Sequence, residues 1–274
     1  MGVDRLQWAP RQPTPNAMPY DHLTLDIEDR LAVVRLNRPE ARNALSQALM
    51  RELIRCAHEL AERSDIDVVL LTGGDVCLSA GADLKDARAW ADDTLPLVGR
   101  REVAALGYRM CKAWEELPQI SIVAIEGYAV GGALALSLAC DWRVMADDAF
   151  VSLPEIALGI PLTWGTLPRL TSLLGPSRAK RLTILCERLG AAEALAMGLV
   201  DHTAARGHAL ARAREIAQRT LAMPAAAVRM SKETINAFAN ALHHLGSHMG
   251  HDQIALAATS AEARAARAAA LKPG

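Results

Sequence analysis

The chain has 274 residues with 30 basic and 31 acidic side chains, so its formal net charge is −1, and it is 51% hydrophobic but only 4% aromatic. That length suits one large domain, or one domain with a helical appendage. The charge balance leaves no electrostatic footprint for nucleic acid, no Lys/Arg run supplies one, and the composition excludes disordered, collagen-like and disulfide-rich secreted chains.

Residues 1–19 carry four prolines and no apolar run, which predicts a flexible N-terminal arm and no signal peptide. Residues 22–27 alternate Leu23, Leu25 and Ile27 with polar neighbours, and residues 31–36 are rich in Val and Leu; with Glu28, Asp29 and Arg30 between them they predict a hairpin. Ser46 is placed to cap a helix whose apolar positions Leu49, Leu53, Cys56 and Leu60 recur at three- and four-residue steps. The run at 68–72, ended by Gly73 and Gly74, predicts a buried strand. Further along come a helix at 101–117, a strand at 120–125, a short apolar helix at 131–140, and strands at 142–146 and 150–153. Strands alternating with helices to about residue 155 indicate an α/β fold.

Helices follow at 167–174, 177–185, 191–197 and from 208 onward, with one late strand expected at 199–202 and an Ala/Glu/Arg-rich amphipathic helix at 255–270. The charge-free piece 127–140 is shorter than the about 20 residues of a membrane-spanning helix, so no membrane partner is expected. Cys56, Cys77, Cys111, Cys140 and Cys186 are scattered and odd in number, which reads as reduced thiols in a cytoplasmic protein.

Three small-residue segments each follow a predicted strand: SAGADLK at 79–85, GYAVGGA at 127–133 and LPEIALG at 153–159. None reads as a dinucleotide fingerprint or a P-loop. A small-residue loop before a helix still presents free backbone N–H groups, and two such loops on one cleft can hold a developing oxyanion; each taken singly is also compatible with a tight packing turn. His243, His244, His248 and His251 lack the Glu of a zinc-protease helix and read as a polar helix face or an oligomer contact, so no metal is expected. Asp141 reads as a cap or turn acid and Glu126 as a structural hydrogen-bonding group; no Gly-x-Ser-x-Gly elbow exists.

Four segments occur together in order: LNRPEARNAL at 36–45, AGADLK at 80–85, GYAVGG at 127–132 and AEALAMGLVD at 192–201. Together they resemble the crotonase (enoyl-CoA hydratase/isomerase) superfamily over about residues 20–235. The resemblance implies a ββα spiral core at 20–203, a C-terminal helical trimerisation region at 204–274, and a homotrimer or hexamer. It also implies acyl-CoA thioester substrates, with coenzyme A part of the substrate and no separate cofactor.

Carried over by position, the N–H groups of Ala82 and Gly132 match the oxyanion donors. Arg42, Ala44, Ala80, Asp83, Leu84, Lys85, Tyr128, Gly131 and Pro154 match the substrate channel, and Glu155 matches a catalytic glutamate. Hydratases of the family usually carry a second glutamate, at a position occupied here by Ala135. Members with only the Pro-Glu carboxylate resemble Δ3,Δ2-enoyl-CoA isomerases, so the resemblance favours double-bond isomerisation by Glu155 as single acid/base. An enoyl-CoA hydratase proper and a catalytically weak acyl-CoA-binding subunit are the alternatives. Further departures are Leu78 in place of an aromatic, Ala133 in place of a third glycine, and the PLTWG run at 161–165, where Leu162 and Trp164 either narrow the acyl pocket or pack in the core.

Overall fold

The computed structural model describes residues 19–86, 95–243, 247 and 249–270. The expected N-terminal arm, apart from Pro19, lies outside the described residues. Strands β1 (Leu23–Glu28) and β2 (Leu31–Leu36) form the antiparallel hairpin, and β2 continues in parallel to β3 (Val68–Thr72), β4 (Ile120–Ile125), β6 (Trp142–Ala146) and β9 (His202–Ala204). The late strand therefore starts three residues beyond its expected position. A second sheet of three short strands, β5 (Tyr128–Val130), β7 (Phe150–Ser152) and β8 (Leu189–Gly190), stands apart from the first. β5 was hidden in a glycine segment and β8 is two residues long, so neither leaves a periodic signal.

The unbroken apolar runs of the large sheet follow from burial on both faces. Val69, Leu71, Val123 and Ile125 join the main core, with helices α1 (Gln47–Ala61), α2 (Leu97–Glu115) and α3 (Gly132–Ala139). Their neighbours in sequence, Val68, Leu70, Ile122 and Ala124, face the other way and pack on Ala209, Ala213, Ile216 and Ala217 of α6 (Ala209–Leu221). The period-two alternation of strand side chains sends adjacent apolar residues to opposite cores. The Ser46 side chain accepts the Leu49 N–H at 3.2 Å, as a cap should.

The helices expected at 167–174 and 177–185 form one run, α4 (Thr166–Ile184), broken in direction at Gly175, whose φ of 75° is left-handed, with Pro176 following. After α5 (Ala191–Met197), α6 and α7 (Ala225–Ala239), the expected single tail helix is two, α8 (Gly250–Ala258) and α9 (Ala261–Ala270). The Ser260 hydroxyl accepts the Ala263 N–H at the start of the second. Among the described residues no helix is long and apolar enough to cross a membrane.

Two acids singled out in the sequence are structural. Asp141 accepts from the Ser121 N–H and hydroxyl and from Lys232 Nζ at 2.7, 3.0 and 2.6 Å, tying β4 to α7 through a buried lysine. Glu126, buried at the end of β4, accepts the Gly207 and Ala209 N–H groups at 3.0 and 2.8 Å and so holds the start of α6 against the sheet. Glu126→Ala strands both N–H groups and is expected to lower unfolding stability by about 1–3 kcal/mol, read from denaturant melts.

Candidate active site

The three glycine-containing segments meet at one place. The first and second loops are bridged in parallel at Ser79 and Ala129, with Leu78 N–H donating to Tyr128 O at 3.0 Å and Val130 N–H to Ser79 O at 3.3 Å. Gly81 has φ of 89° and a Cβ there would stand 2.5 Å from Val130 O, so only glycine permits this approach. The second loop is tied to the third by Gly131 N–H donating to Ser152 O at 2.8 Å, at the end of β7. Gly131 also has positive φ, and a Cβ on it would collide with Glu155 Oε1.

Between the loops lies a cavity of about 290 Å3. Of the positions expected to form a site, Ala80, Ala82, Leu84, Gly131, Gly132, Pro154 and Glu155 line it. Ala135 lines it too, about one turn beyond the glycines on α3. Neither the Ala82 nor the Gly132 N–H donates a hydrogen bond to another group among the described residues. Gly132 is the first residue of α3, where an N–H has no partner within the helix.

Arg42, Ala44, Asp83, Lys85 and Tyr128 lie outside the cavity wall. Arg42 and Ala44 belong to the turn that follows a short 3-10 helix at Pro39–Ala41, beside the first loop: Arg42 O accepts the Ala80 N–H at 3.0 Å, and Leu45 N–H donates to Gly81 O at 2.8 Å. Asp83 is held by Arg38, whose Nη1 lies 3.1 Å from its carboxylate and 2.6 Å from Ala44 O. Lys85 is exposed, and the Tyr128 ring stacks on Phe150 with centroids 5.6 Å apart. Sequence reasoning passed over Arg38 and Asn43 in the same motif. Asn43 sits buried at φ of 53° and donates to Gly73 O and Leu78 O at 2.8 and 3.2 Å, pinning the loop from below. An Asn where the chain must turn left-handed was the available signal.

Glu155 is the only ionisable side chain in the cavity wall among the described residues. Its Oε2 is sealed from solvent and has no hydrogen-bond partner among the described residues. Burial pushes the carboxyl up to about 7, and a hydrogen bond at its own backbone offsets this only in part. Such a group is half-ionised near neutrality and can both take and return a proton. Leu162 and Trp164 are core residues and cavity-lining residues at once, and Ile254 of α8 closes the same wall, a contribution no local pattern announced.

The histidines divide. His243 lies against Ser172 Oγ and Glu115, away from the cavity, while His244, His248 and the side chain of His251 lie outside the described residues. Asp21, His22 and Glu52 bring ligand-type atoms together, but Glu52 already accepts the Asp21 and His22 N–H groups, clamping β1 to α1.

Residues 26–266 match the family described as enoyl-CoA hydratase/isomerase. The chain is 33% identical over 220 residues to a crotonyl-CoA hydratase of Syntrophomonas wolfei, covering 80% of this chain and 83% of that one. A short-chain-enoyl-CoA hydratase of Clostridium acetobutylicum is 32% identical over 80% of this chain and 82% of its own. Among solved structures, an enoyl-CoA hydratase from Mycobacterium avium subsp. paratuberculosis superposes with a TM-score of 0.81 at 25% identity, over 92% of this chain and 96% of that one. One from Bacillus anthracis gives 0.73 at 32% identity, over 86% and 89%. The chain belongs to the enoyl-CoA hydratase/isomerase family, the crotonase superfamily.

The raised Glu155 pKa has a stability consequence. The native state holds this proton from about pH 4.5, where an unfolded glutamate loses it, up to about pH 7. Native stability therefore falls as pH rises through that window. Glu155→Gln, which carries no charge, is expected to match the native protein near about pH 4 and to exceed it increasingly towards pH 8, by of order 1–3 kcal/mol, in denaturant melts across pH.

Proposed function

We propose that the protein shifts the double bond of an enoyl-CoA thioester, with Glu155 as the single proton carrier. The observation that carries this reading is, among the described residues, the lone carboxyl in an apolar cavity whose wall also holds two unpaired backbone N–H groups. The Ala82 and Gly132 N–H groups donate to the thioester oxygen as it becomes an oxyanion. Ionised Glu155 takes the C2 proton of a 3-enoyl thioester, and the electron pair spreads through the dienolate onto that oxygen. The protonated carboxyl then returns the proton at C4, leaving the 2-enoyl thioester and the starting carboxylate. No atom is gained or lost, so no second acid or base is needed.

Each donor of such a pair is worth about 2.7–4 kcal/mol in a well-studied hydrolase. Coenzyme A is part of the substrate, and the exposed segment around Arg42, Ala44, Leu84 and Lys85 is where we place its passage. The names of the relatives favour a second reading, hydration of a 2-enoyl thioester. Against it stands Ala135: water addition needs a group to activate water as well as one to handle the C2 proton, and the cavity supplies one carboxylate.

Assembly belongs to the same proposal. Helix α7 buries only Lys232, and Met230, Ile235 and Phe238 of α7, with Leu242 just beyond it, are exposed apolar side chains that suit burial between protomers of a homotrimer or a dimer of trimers. A cytoplasmic setting is consistent with five free thiols, four of them buried.

With 2-enoyl- and 3-enoyl-CoA as substrates and products identified by mass and retention, the native protein is expected to interconvert the two positional isomers. Glu155→Gln should lower that turnover by about 10²–10⁴-fold with thioester binding nearly unchanged. Ala135→Glu, once shown to be folded, should raise hydration of the 2-enoyl thioester. Efficient hydration by the native protein, with isomerisation intact in Glu155→Gln, would overturn the one-base mechanism.

Sedimentation velocity at micromolar concentration should show trimers or hexamers. Phe238→Glu should shift the population towards monomer, and a native monomer would refute the assembly.

A further inference from the structure

Trp164 occupies a position that its own backbone disfavours. Its φ is 59°, left-handed for a bulky aromatic residue, and Gly165 after it is left-handed as well. Only surrounding structure sustains such a conformation, and a residue held this way invites a functional explanation. The restraint is visible: Arg169 Nη1 donates to Trp164 O at 2.9 Å, while Arg169 Nε and Nη2 grip Glu115 of α2 at 2.7 and 2.8 Å.

The indole fills a slot cut by two glycines on different helices. A Cβ on Gly107 of α2 would collide with the fused ring atoms, and a Cβ on Gly132 of α3 would collide with the six-membered ring. Gly132 is the residue whose N–H is one of the two donors left unpaired among the described residues, so the ring packs on the residue that carries that donor. Leu158, Ile160, Leu162 and Ile254 complete an apolar wall around it. At about 290 Å3 the cavity is at the small end of the ~300–1,000 Å3 typical of small-molecule sites.

We infer that Trp164 is a specificity-determining residue that ends the acyl pocket, restricting the enzyme to short acyl thioesters. This rests on the acyl-thioester reading above. A thioester whose oxygen sits on the Gly132 amide directs its acyl chain along the indole, and each added methylene meets a filled wall. In a filled pocket one surplus methylene costs about 10–200-fold in specificity. The glycines at 107 and 132 then share a role: they let the indole retreat just far enough to leave room for the first carbons.

The test measures kcat/KM on 3-enoyl-CoA thioesters of four, six, eight and ten carbons, and Kd for the saturated acyl-CoA of each length, which reports the pocket without turnover. The native protein should lose at least about tenfold in both between four and eight carbons, the low end of the cost of one misfitting methylene. Trp164→Ala should flatten or reverse that profile. Gly107→Ala, whose new methyl pushes the indole from behind without itself lining the cavity, should steepen it, and Trp164→Ala in the same chain should remove that effect.

A Trp164 that only packs the core would lower all chain lengths alike in folded variants, and that result overturns the inference. If the native protein binds four- and ten-carbon thioesters equally, the inference fails while the acyl-thioester reading stands. If it binds none of them, both fall. Should Trp164→Ala not fold, the Gly107→Ala profile decides alone: an unchanged slope refutes the inference.

Discussion

The parallel bridge between Ser79 and Ala129 is the constraint on which the site depends. It brings two loops built of Gly, Ala and Val close enough that the Gly81 backbone stands beside the start of α3. Loops so close cannot use all their amides on each other, and two N–H groups, at Ala82 and Gly132, are left over on the cavity wall. An unsatisfied buried donor is costly in a folded protein, and such exceptions call for a reason. The proposed function supplies one: a preorganised pair of donors needs no rearrangement when negative charge develops on a bound oxygen.

The same logic governs Glu155. A carboxyl largely buried in an apolar wall resists ionisation, so its affinity for a proton rises until it titrates near neutrality. The desolvation that makes this group a poor contributor to stability makes it a usable acid and base at physiological pH. Its isolation matters as much as its pKa. With Ala135 in the wall and no second ionisable group there among the described residues, the proposed reaction has one carboxyl to move its proton.

The rigidity of these parts comes from polar anchors outside the cavity. Arg38 joins Asp83 to Ala44, Asn43 reaches the backbone of Gly73 and Leu78, and Arg169 locks the Trp164 turn to α2 through Glu115. None of these side chains is itself part of the wall, yet they decide where the wall stands. The C-terminal helices add the last piece: Ala263 of α9 packs against Gly159, where φ is 64° and no side chain fits, and Ile254 of α8 joins the wall.

The large sheet, the Ser46 cap and the three glycine segments were legible in the sequence because each is a local matter, set by side-chain alternation, helix spacing and the torsions only glycine adopts. Four segments in order also pointed to the family, to Glu155, and to Ala82 and Gly132 as a set. Local pattern could not place β5 and β8, which are too short to show a period and exist through their partners. Nor could it show that Asp83 turns to Arg38, 45 residues earlier, or that Ile254 reaches a cavity begun at Ala80. The sequence alone left Trp164 between pocket and core; folding made it both, because Gly107 and Gly132 come from helices that meet only in the tertiary structure. What a residue is was determined by the sequence, and what it faces was decided by long-range packing, since the energy that holds a side chain in place belongs to neighbours far away in the chain.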